Sequence, residues 1–286
     1  MPEKPEVITV ARALKNKILG KTIVDVKILW DNIIATDKDD FKENIKNETV
    51  NNITTRGKFI VIELDKYYLL VHLRMEGKFT FRTEEDEINK HEHVIIVFSD
   101  GVEMRYHDVR KFGKMYLVEK EKLYTDTPLK KLGLEFDSKD LTSDYLLEKF
   151  KKQNKFIKTV LLDQSIISGI GNIYDDEILF LSKINPYKKA KDLNDKECFD
   201  IIENTKEVLN EAIKMGGTTI KSFTSEEGVH GLFQNKLYVH GKTGACPECG
   251  TEIVKEKING RGTYYCPNCQ KWGYYEKKWF NRLWYL

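Results

Sequence analysis

The sequence predicts an α+β protein with an N-terminal helix, an antiparallel β-sandwich, a helical domain and a C-terminal four-cysteine zinc finger. Three observations predict this order. Apolar residues recur at helical spacing near the start, then in short β-branched and aromatic runs up to residue 118, and again at helical spacing from about residue 141. Two CxxC pairs follow near the C-terminus.

An N-terminal helix is predicted over residues 2–19, with Gly20 as its stop, because apolar residues recur there along one helix face. The following short runs, separated by Gly and Asp, are typical of antiparallel strands in a sandwich or barrel. The predicted strands are 22–29, 59–64, 68–73, 78–81, 94–98, 103–106 and 114–118. Further helices are predicted at 145–150, 159–162, 174–181 and 196–215.

The charge balance excludes a uniformly basic protein. The 286 residues include 47 Lys and Arg against 45 Asp and Glu, a formal net charge of +2, so nucleic-acid binding would require sorted basic patches. No apolar run approaches the roughly 20 residues of a membrane helix, and the start MPEKPEV lacks the character of a signal peptide. We therefore expect a cytoplasmic protein with no membrane partner.

Basic residues are concentrated in two stretches. Residues 149–158 hold five lysines and no acid, and residues 242–286 hold eight basic residues against four acidic ones. Such stretches favour DNA binding, although a lysine run is also typical of a solvated helix face. The tail 272–286 adds seven aromatic residues, which would either stack on bases or pack on the protein or a partner.

Four cysteines have the spacing of a structural zinc site. Cys246 and Cys249 form one CxxC pair and Cys266 and Cys269 the other, a pattern that brings four thiolates to one tetrahedral ion. Because a closed four-sulfur site has no open position, we expect one structural Zn²⁺ and no zinc catalysis. Two disulfides or a redox CxxC are the alternatives. The fifth cysteine, Cys198, falls in a helical pattern and is interpreted as a core residue.

The N-terminus combines a candidate nucleophile with two carboxylates. Pro2 follows the initiator Met1, whose removal would leave a secondary amine with an ordinary pKa of about 7.7–8.0. A neutral amine can attack a sugar C1′ and form an iminium, and the adjacent Glu3 and Glu6 could transfer protons. The alternative is structural, since acids also suit the first turn of a helix.

Six segments in order, ending in the zinc finger, resemble the formamidopyrimidine-DNA glycosylase family over nearly the whole chain. Each segment alone is weak evidence for the family, but all six in this order identify it specifically. They are MPEKPEV at 1–7, RGKF at 56–59, HLRMEGKF at 72–79, HDVRKFG at 107–113, LLDQSIISGIGNIY at 161–174 and GGTTI at 216–220, with GRGTYYC at 260–266 inside the finger. The segment 161–174 resembles the family's helix–two-turn–helix motif.

The resemblance implies a bifunctional base-excision repair enzyme that acts, as a monomer, on double-stranded DNA with oxidised purines or abasic sites. The purines would be chiefly 8-oxoguanine and formamidopyrimidines. Pro2 would be the nucleophile at C1′, and Glu3 the general acid–base residue. Glu6 would support them, and Lys58 would assist at the sugar and phosphate. Successive β- and δ-elimination would then cleave the strand.

The resemblance also implies contacts with a duplex from which the damaged nucleotide is extruded. Met75, Arg110 and Phe112 would fill the vacated space, because Met and Phe can wedge between bases and Arg can bind the orphaned cytosine. A loop at about 222–233, including Thr224 and Ser225, would cap the lesion. The remaining expected contacts are Glu76 with the base and Lys58, His72, Lys158, Asn172 and Arg261 with phosphates.

Three positions depart from the family pattern. Lys4 replaces an apolar residue beside the nucleophile, Val109 stands where proline is common, and His240 occupies a position often held by a phosphate-binding Tyr. A His can still donate a hydrogen bond, so His240 stays among the expected DNA contacts.

The predicted domains are a catalytic β-sandwich at 1–131, a helix–two-turn–helix domain at 132–242, a zinc finger at 243–271 and a tail at 272–286. Two alternatives remain open: an endonuclease VIII-like glycosylase for oxidised pyrimidines, and a DNA-binding homologue without catalysis. The Arg110 and Met75 segments favour the purine enzyme. An intact Pro2-Glu3 pair argues against binding alone.

Overall fold

A computed structural model of the protein describes residues 1–218 and 231–271. The predictions for Thr224, Ser225 and the aromatic tail lie outside the described residues. The described residues divide into two compact units: one holds 1–132 with 212–218 and 231–234, and the other holds 133–211 with 235–271.

The first unit is an antiparallel β-sandwich preceded by a helix, as the sequence predicts. Its helices are α1 (Lys4–Ile18) and α2 (Lys38–Asn44). Its strands are β1 (Ile23–Ile28), β2 (Asn52–Arg56), β3 (Phe59–Glu63), β4 (Tyr67–His72), β5 (Lys78–Arg82), β6 (Glu92–Phe98), β7 (Glu103–His107) and β8 (Lys114–Glu119). They form two four-stranded sheets with the orders β1-β6-β7-β5 and β2-β3-β4-β8, and all their pairings are antiparallel.

One apolar core joins helix α1 to both sheets. Leu14 of α1, Ile60 of β3 and Val94 of β6 are all buried in the same cluster. The helix presents this face because its apolar residues recur at three- and four-residue intervals. The core thereby holds the start of α1, with its carboxylates, against the sandwich.

The second unit is helical and carries a β-hairpin near the C-terminus. Its elements are β9 (Leu134–Glu135), α3 (Ser143–Phe150), α4 (Ile157–Leu161), β10 (Ile167–Ser168), α5 (Asn172–Leu181), α6 (Asp195–Lys214), β11 (Val254–Ile258) and β12 (Arg261–Tyr265). The last residues of α6, from Ala212, are assigned to the first unit. The turns between α4 and α5 coincide with the predicted helix–two-turn–helix segment. None of the helices in the described ranges has the length and apolarity needed to cross a bilayer.

Candidate active site

The chain terminus lies among the predicted catalytic side chains of the first unit. Pro2, Glu3, Glu6 and Lys58 are all buried. Burial lowers the pKa of the terminal amine of Met1, the charges of Glu3 and Glu6 oppose that shift, and the charge of Lys58 reinforces it. The structure therefore brings the N-terminal segment and Lys58 into one electrostatic environment, although they are far apart in sequence.

The Glu6 carboxylate is held on both of its oxygens. Its Oε2 accepts a hydrogen bond from the Glu3 backbone N–H at 2.8 Å. Its Oε1 accepts from the Thr218 N–H at 2.7 Å and the Thr218 hydroxyl at 3.1 Å. Gly217 has φ +82°, and a Cβ there would lie 2.5 Å from Oε1. Glu6 thus ties the start of α1 to the GGTTI segment, which fits a supporting carboxylate. Sequence reasoning gave no reason to expect the Thr218 contact.

Lys58 lies in the turn before β3, and His72 is the last residue of the neighbouring strand β4. Lys58 directly follows Gly57, whose φ of 54° makes the tight turn between β2 and β3. His72 pairs with Phe59 across β3 and β4, and their rings meet edge to face at 4.7 Å. Burial, with the nearby charges of Arg74 and Lys58, lowers the pKa of His72 to about 3. Its ring is therefore neutral at pH 7. Because Nδ1 accepts from the Arg74 N–H at 3.0 Å, Nε2 carries the proton and can donate.

The predicted wedge residues Arg110 and Phe112 are exposed on a loop that a buried carboxylate organises. Asp108 accepts hydrogen bonds from the backbone N–H groups of Arg110 at 3.0 Å, Phe112 at 2.9 Å and Gly113 at 2.8 Å. The Arg110 guanidinium lies 4.8 Å from the centre of the Phe112 ring. Asp108 therefore fixes the backbone so that both side chains project outward, a role that the sequence did not reveal.

Two aromatic residues that the sequence did not single out support this loop. A Cβ on Gly77 or Gly113 would lie 2.1 Å or 1.7 Å from the Tyr106 hydroxyl, so this buried Tyr packs against both the Met75 turn and the wedge loop. Lys111 has φ 57°, and its Nζ lies 3.7 Å from the centre of the exposed Trp30 ring. The glycines of the HLRMEGKF and HDVRKFG segments were the only sequence signal for the Tyr106 contact.

In the second unit, the predicted phosphate contacts surround a buried charge network. Lys158 is fully buried, and its Nζ lies 2.6 Å from Asp176 Oδ1 and 3.4 Å from Asp175 Oδ2. His240 Nδ1 lies 2.6 Å from Asp176 Oδ2. Burial alone would lower the pKa of Lys158, but the two aspartates raise it above its usual value.

Asn172 and the finger hairpin lie next to this network. The Lys158 Nζ also donates to the Asn172 carbonyl at 3.2 Å, and Asn172 Nδ2 donates to the Gly262 carbonyl at 2.7 Å. Arg261 is exposed beside Gly260, which has φ +77° at the hairpin turn. Lys158, Asn172, His240 and Arg261 therefore belong to one region of the second unit.

Removing the Lys158 charge is expected to destabilise the protein. In Lys158→Met, Asp175 and Asp176 stay buried without their cation, which costs about 3–5 kcal/mol of unfolding free energy. Because the pKa of Lys158 is raised in the folded protein, its stabilising contribution is complete below its ordinary pKa, and therefore at pH 7, and it is lost as the pH rises through the folded-state pKa. Urea unfolding at pH 7 measures the change. The exposed Lys155→Met is the control, and equal unfolding free energies for the two variants would contradict the role assigned to the network.

The four finger cysteines form a group suited to one zinc ion. Their sulfurs all lie within 4.8 Å of one another, and zinc–sulfur bonds of about 2.3 Å in a tetrahedron place sulfurs about 3.8 Å apart. Sulfur separations of 3.8 Å for Cys246 and Cys269 and 3.5 Å for Cys249 and Cys266 exceed a disulfide bond. All five cysteines are free thiols, so the disulfide alternative is not supported.

The pKa values of two cysteine thiols, Cys249 and Cys198, are shifted in opposite directions. A hydrogen bond from Thr251 is the largest cause that lowers the pKa of Cys249 to about 5, which favours the thiolate that zinc requires. Burial raises the pKa of Cys198 to about 12. Cys198 is therefore a protonated core residue rather than a nucleophile.

Family models match three parts of the chain. The formamidopyrimidine-DNA glycosylase N-terminal domain matches residues 1–115, the H2TH domain of the same glycosylase matches 132–224, and the zinc finger found in FPG and IleRS matches 245–271. This chain belongs to the formamidopyrimidine-DNA glycosylase family. The predicted family, the fold class and the single structural zinc are confirmed.

Curated glycosylases of this family are similar over nearly their whole length. The formamidopyrimidine-DNA glycosylase of Bacillus anthracis is 46% identical over 273 residues, which cover 94% of this chain and 99% of the relative. The one from Bacillus subtilis strain 168 is 43% identical with the same coverage. The prediction of a base-excision repair glycosylase is thereby confirmed over its alternatives.

Solved structures of family members share the fold. A Lactococcus lactis Fpg in complex with DNA containing an abasic site superimposes with a TM-score of 0.89 at 38% identity, over 94% of this chain and all of that one. MutM in complex with DNA containing carbocyclic 8-oxo-G gives a TM-score of 0.88 at 38% identity, over 95% of this chain and all of that one. The roles of individual site residues stay predictions.

Proposed function

We propose that this glycosylase removes oxidised purines from double-stranded DNA and cleaves the strand at the resulting abasic site. The observation that carries the proposal is the buried group of Glu3, Glu6 and Lys58 around the chain terminus. Burial lowers the pKa of the Met1 amine, and the same surroundings would act on the Pro2 amine once Met1 is removed, which would increase its neutral, nucleophilic fraction at pH 7.

The proposed reaction begins once Met1 has been removed. The Pro2 nitrogen attacks C1′ and forms an N–C1′ bond, the glycosidic bond breaks, and the base leaves with the proton that the Pro2 nitrogen gives up. Glu3 protonates the sugar ring oxygen, the ring opens, and an iminium results. Because the iminium acidifies the C2′–H bond, the Glu3 carboxylate, which has given its own proton to the ring oxygen, can take the C2′ proton as the 3′ phosphate leaves. A second elimination then expels the 5′ phosphate.

The surrounding residues have proposed supporting roles. Glu6, held by Glu3 and Thr218, keeps the acid in place. Lys58 contacts the sugar and phosphate, and the neutral His72 donates a hydrogen bond to a phosphate. Exposed Phe112 and Arg110, with Met75, fill the space left by the extruded nucleotide, while Glu76, whose charge also acts on the terminal amine, contacts the base.

The second unit supplies the remaining proposed DNA contacts. Asn172, His240 and Arg261 lie in one region, where a backbone phosphate would meet amide, imidazole and guanidinium donors. The expected phosphate contact of Lys158 does not fit its full burial between Asp175 and Asp176, so Lys158 would support this region from within. We keep the division into a catalytic domain at 1–131, a DNA-binding domain at 132–242 and a finger at 243–271. The enzyme would act as a monomer in the bacterial cytoplasm.

Borohydride trapping on three duplexes tests the proposed function. The protein is incubated with 8-oxoguanine·C, thymine glycol·A or undamaged DNA, and borohydride reduces any iminium to a stable amine. We expect a covalent protein–DNA adduct with the 8-oxoguanine duplex and strand cleavage when borohydride is omitted. An adduct with thymine glycol alone would instead favour the pyrimidine enzyme, and no adduct with either lesion would refute the proposal.

A further inference from the structure

Lys4 is a buried cation next to the proposed nucleophile. It is 4% exposed, and its Nζ donates to the Thr55 hydroxyl at 3.0 Å and lies 3.4 Å from the Thr55 carbonyl oxygen. An ammonium group loses much of its hydration when it is buried, so oxygen atoms that accept its hydrogen bonds replace part of the lost water. The two oxygens of Thr55 contact the end of the Lys4 side chain.

This contact joins two segments that carry proposed catalytic groups. Lys4 is the first residue of α1, directly after Glu3 and two residues after Pro2. Thr55 lies near the end of β2, pairs with Ile60 of β3, and precedes Lys58 by three residues. A hydrogen bond between Lys4 and Thr55 thus fixes the start of the helix relative to the β2–β3 turn.

We propose that Lys4 is a positioning residue that, through Thr55, sets the separation between the N-terminal nucleophile and Lys58. The inference rests on the proposed function, because it assigns Lys4 to the same covalent step. Apolar packing holds the helix start against the sandwich, but contacts between apolar groups have no preferred direction. A charged hydrogen bond has a preferred length and angle.

The chain contains a matched contact away from the site. Lys15, on the same helix, donates to Asn52 Oδ1 of the same strand at 2.9 Å, but this contact is exposed. Lys15→Met therefore removes the same kind of helix-to-strand hydrogen bond without touching the catalytic end. It serves as the control for Lys4→Met, in which an apolar chain of similar length fills the space.

The test measures single-turnover adduct formation on the 8-oxoguanine duplex under borohydride, across a range of DNA concentrations and of pH. Lys4→Met is expected to lower the maximal rate about 10-fold, because small misplacements of reacting groups have effects of that size or larger. The half-saturating DNA concentration and the pH of maximal rate should not move. Thr55→Val should also lower the rate, Thr55→Ser should restore it, and Lys15→Met should match the parent enzyme.

The outcomes separate a positioning role from a structural one. If Lys4→Met and Thr55→Val lower the melting temperature but their folded enzyme reacts at the parent rate, Lys4 is structural and the inference is overturned. The double variant Lys4→Met with Thr55→Val should be no slower than the slower single variant, because both substitutions remove the same contact. A rate loss equal to the product of the two single losses would also overturn the inference. If the parent enzyme forms no adduct, both the proposed function and this inference are refuted. If the parent enzyme and the variants all form the adduct at the same rate, only the inference about Lys4 is refuted.

Discussion

Two extra residues ahead of Pro2 are expected to abolish the borohydride-trapped adduct, lowering its rate at least ~1,000-fold. The extension turns the Pro2 nitrogen into an amide, whose lone pair is delocalised into the carbonyl group and cannot attack C1′. DNA affinity should change much less, because the proposed phosphate contacts lie on other segments. The measurements are adduct yield with time and equilibrium binding to an abasic-site analogue.

A cleavable extension provides the control for this experiment. Proteolysis that leaves Pro2 as the first residue should restore the adduct in the same preparation, which separates a blocked amine from a misfolded enzyme. An extended protein that reacts at the parent rate would show that the amine of Pro2 is not the nucleophile, and another lysine or amine would have to be sought.

Loss of the zinc ligand Cys249 is expected to weaken DNA binding about 100-fold, or ~2.7 kcal/mol. The hairpin with Arg261 lies between the two CxxC pairs, and the structural ion supplies folding free energy to such a module. Cys249 is exposed, so Cys249→Ser removes a ligand without opening a core cavity. Zinc content and binding to an 8-oxoguanine duplex are measured together.

Cys198→Ala is the matched control, because it removes a buried thiol that lies outside the cluster. It should retain one zinc per chain and bind DNA within about twofold of the parent affinity. A small substitution in the core lowers the free energy of unfolding but removes no contact with DNA. A zinc-free Cys249→Ser protein with unchanged affinity would refute the finger's role in binding.

The strands and helices with strong periodicity were predictable from the sequence. Helix α1 buries Val7, Leu14 and Ile18 at helical spacing, and Gly20 with φ +77° follows its end as expected. Strand β2 was missed, because only Ile53 of its five residues is buried. Strand β2 forms because it pairs with β3, and the local amino-acid composition of residues 52–56 does not reveal that pairing.

The short helix α2 was missed for a similar reason. Asp37 caps it by accepting hydrogen bonds from the N–H groups of Asp39 and Asp40, yet Phe41 is its only buried side chain. One apolar residue does not make a periodic pattern. The capping Asp was present in the sequence, but a single cap signal occurs in many turns.

The sequence determined the chemistry of the site through residue types in fixed local spacings. Two CxxC pairs specify four thiolates, and a proline directly after Met1, followed by Glu3 and Glu6, offers an amine with nearby acids. The family resemblance supplied Lys58, Arg110 and the phosphate contacts. These features are readable because each depends on a few neighbouring residues.

Only the tertiary structure decided which distant residues hold these groups in place. Lys4 meets Thr55 across 51 positions and Glu6 meets Thr218 across 212, while Lys158 lies fully buried between aspartates although its lysine-rich stretch resembles a solvated surface. Local sequence patterns indicate which side chains tend to be buried and which side chains can bind a metal or a proton. They do not report which buried polar group will meet which partner, because that depends on how the helix and the sheets pack around a shared core.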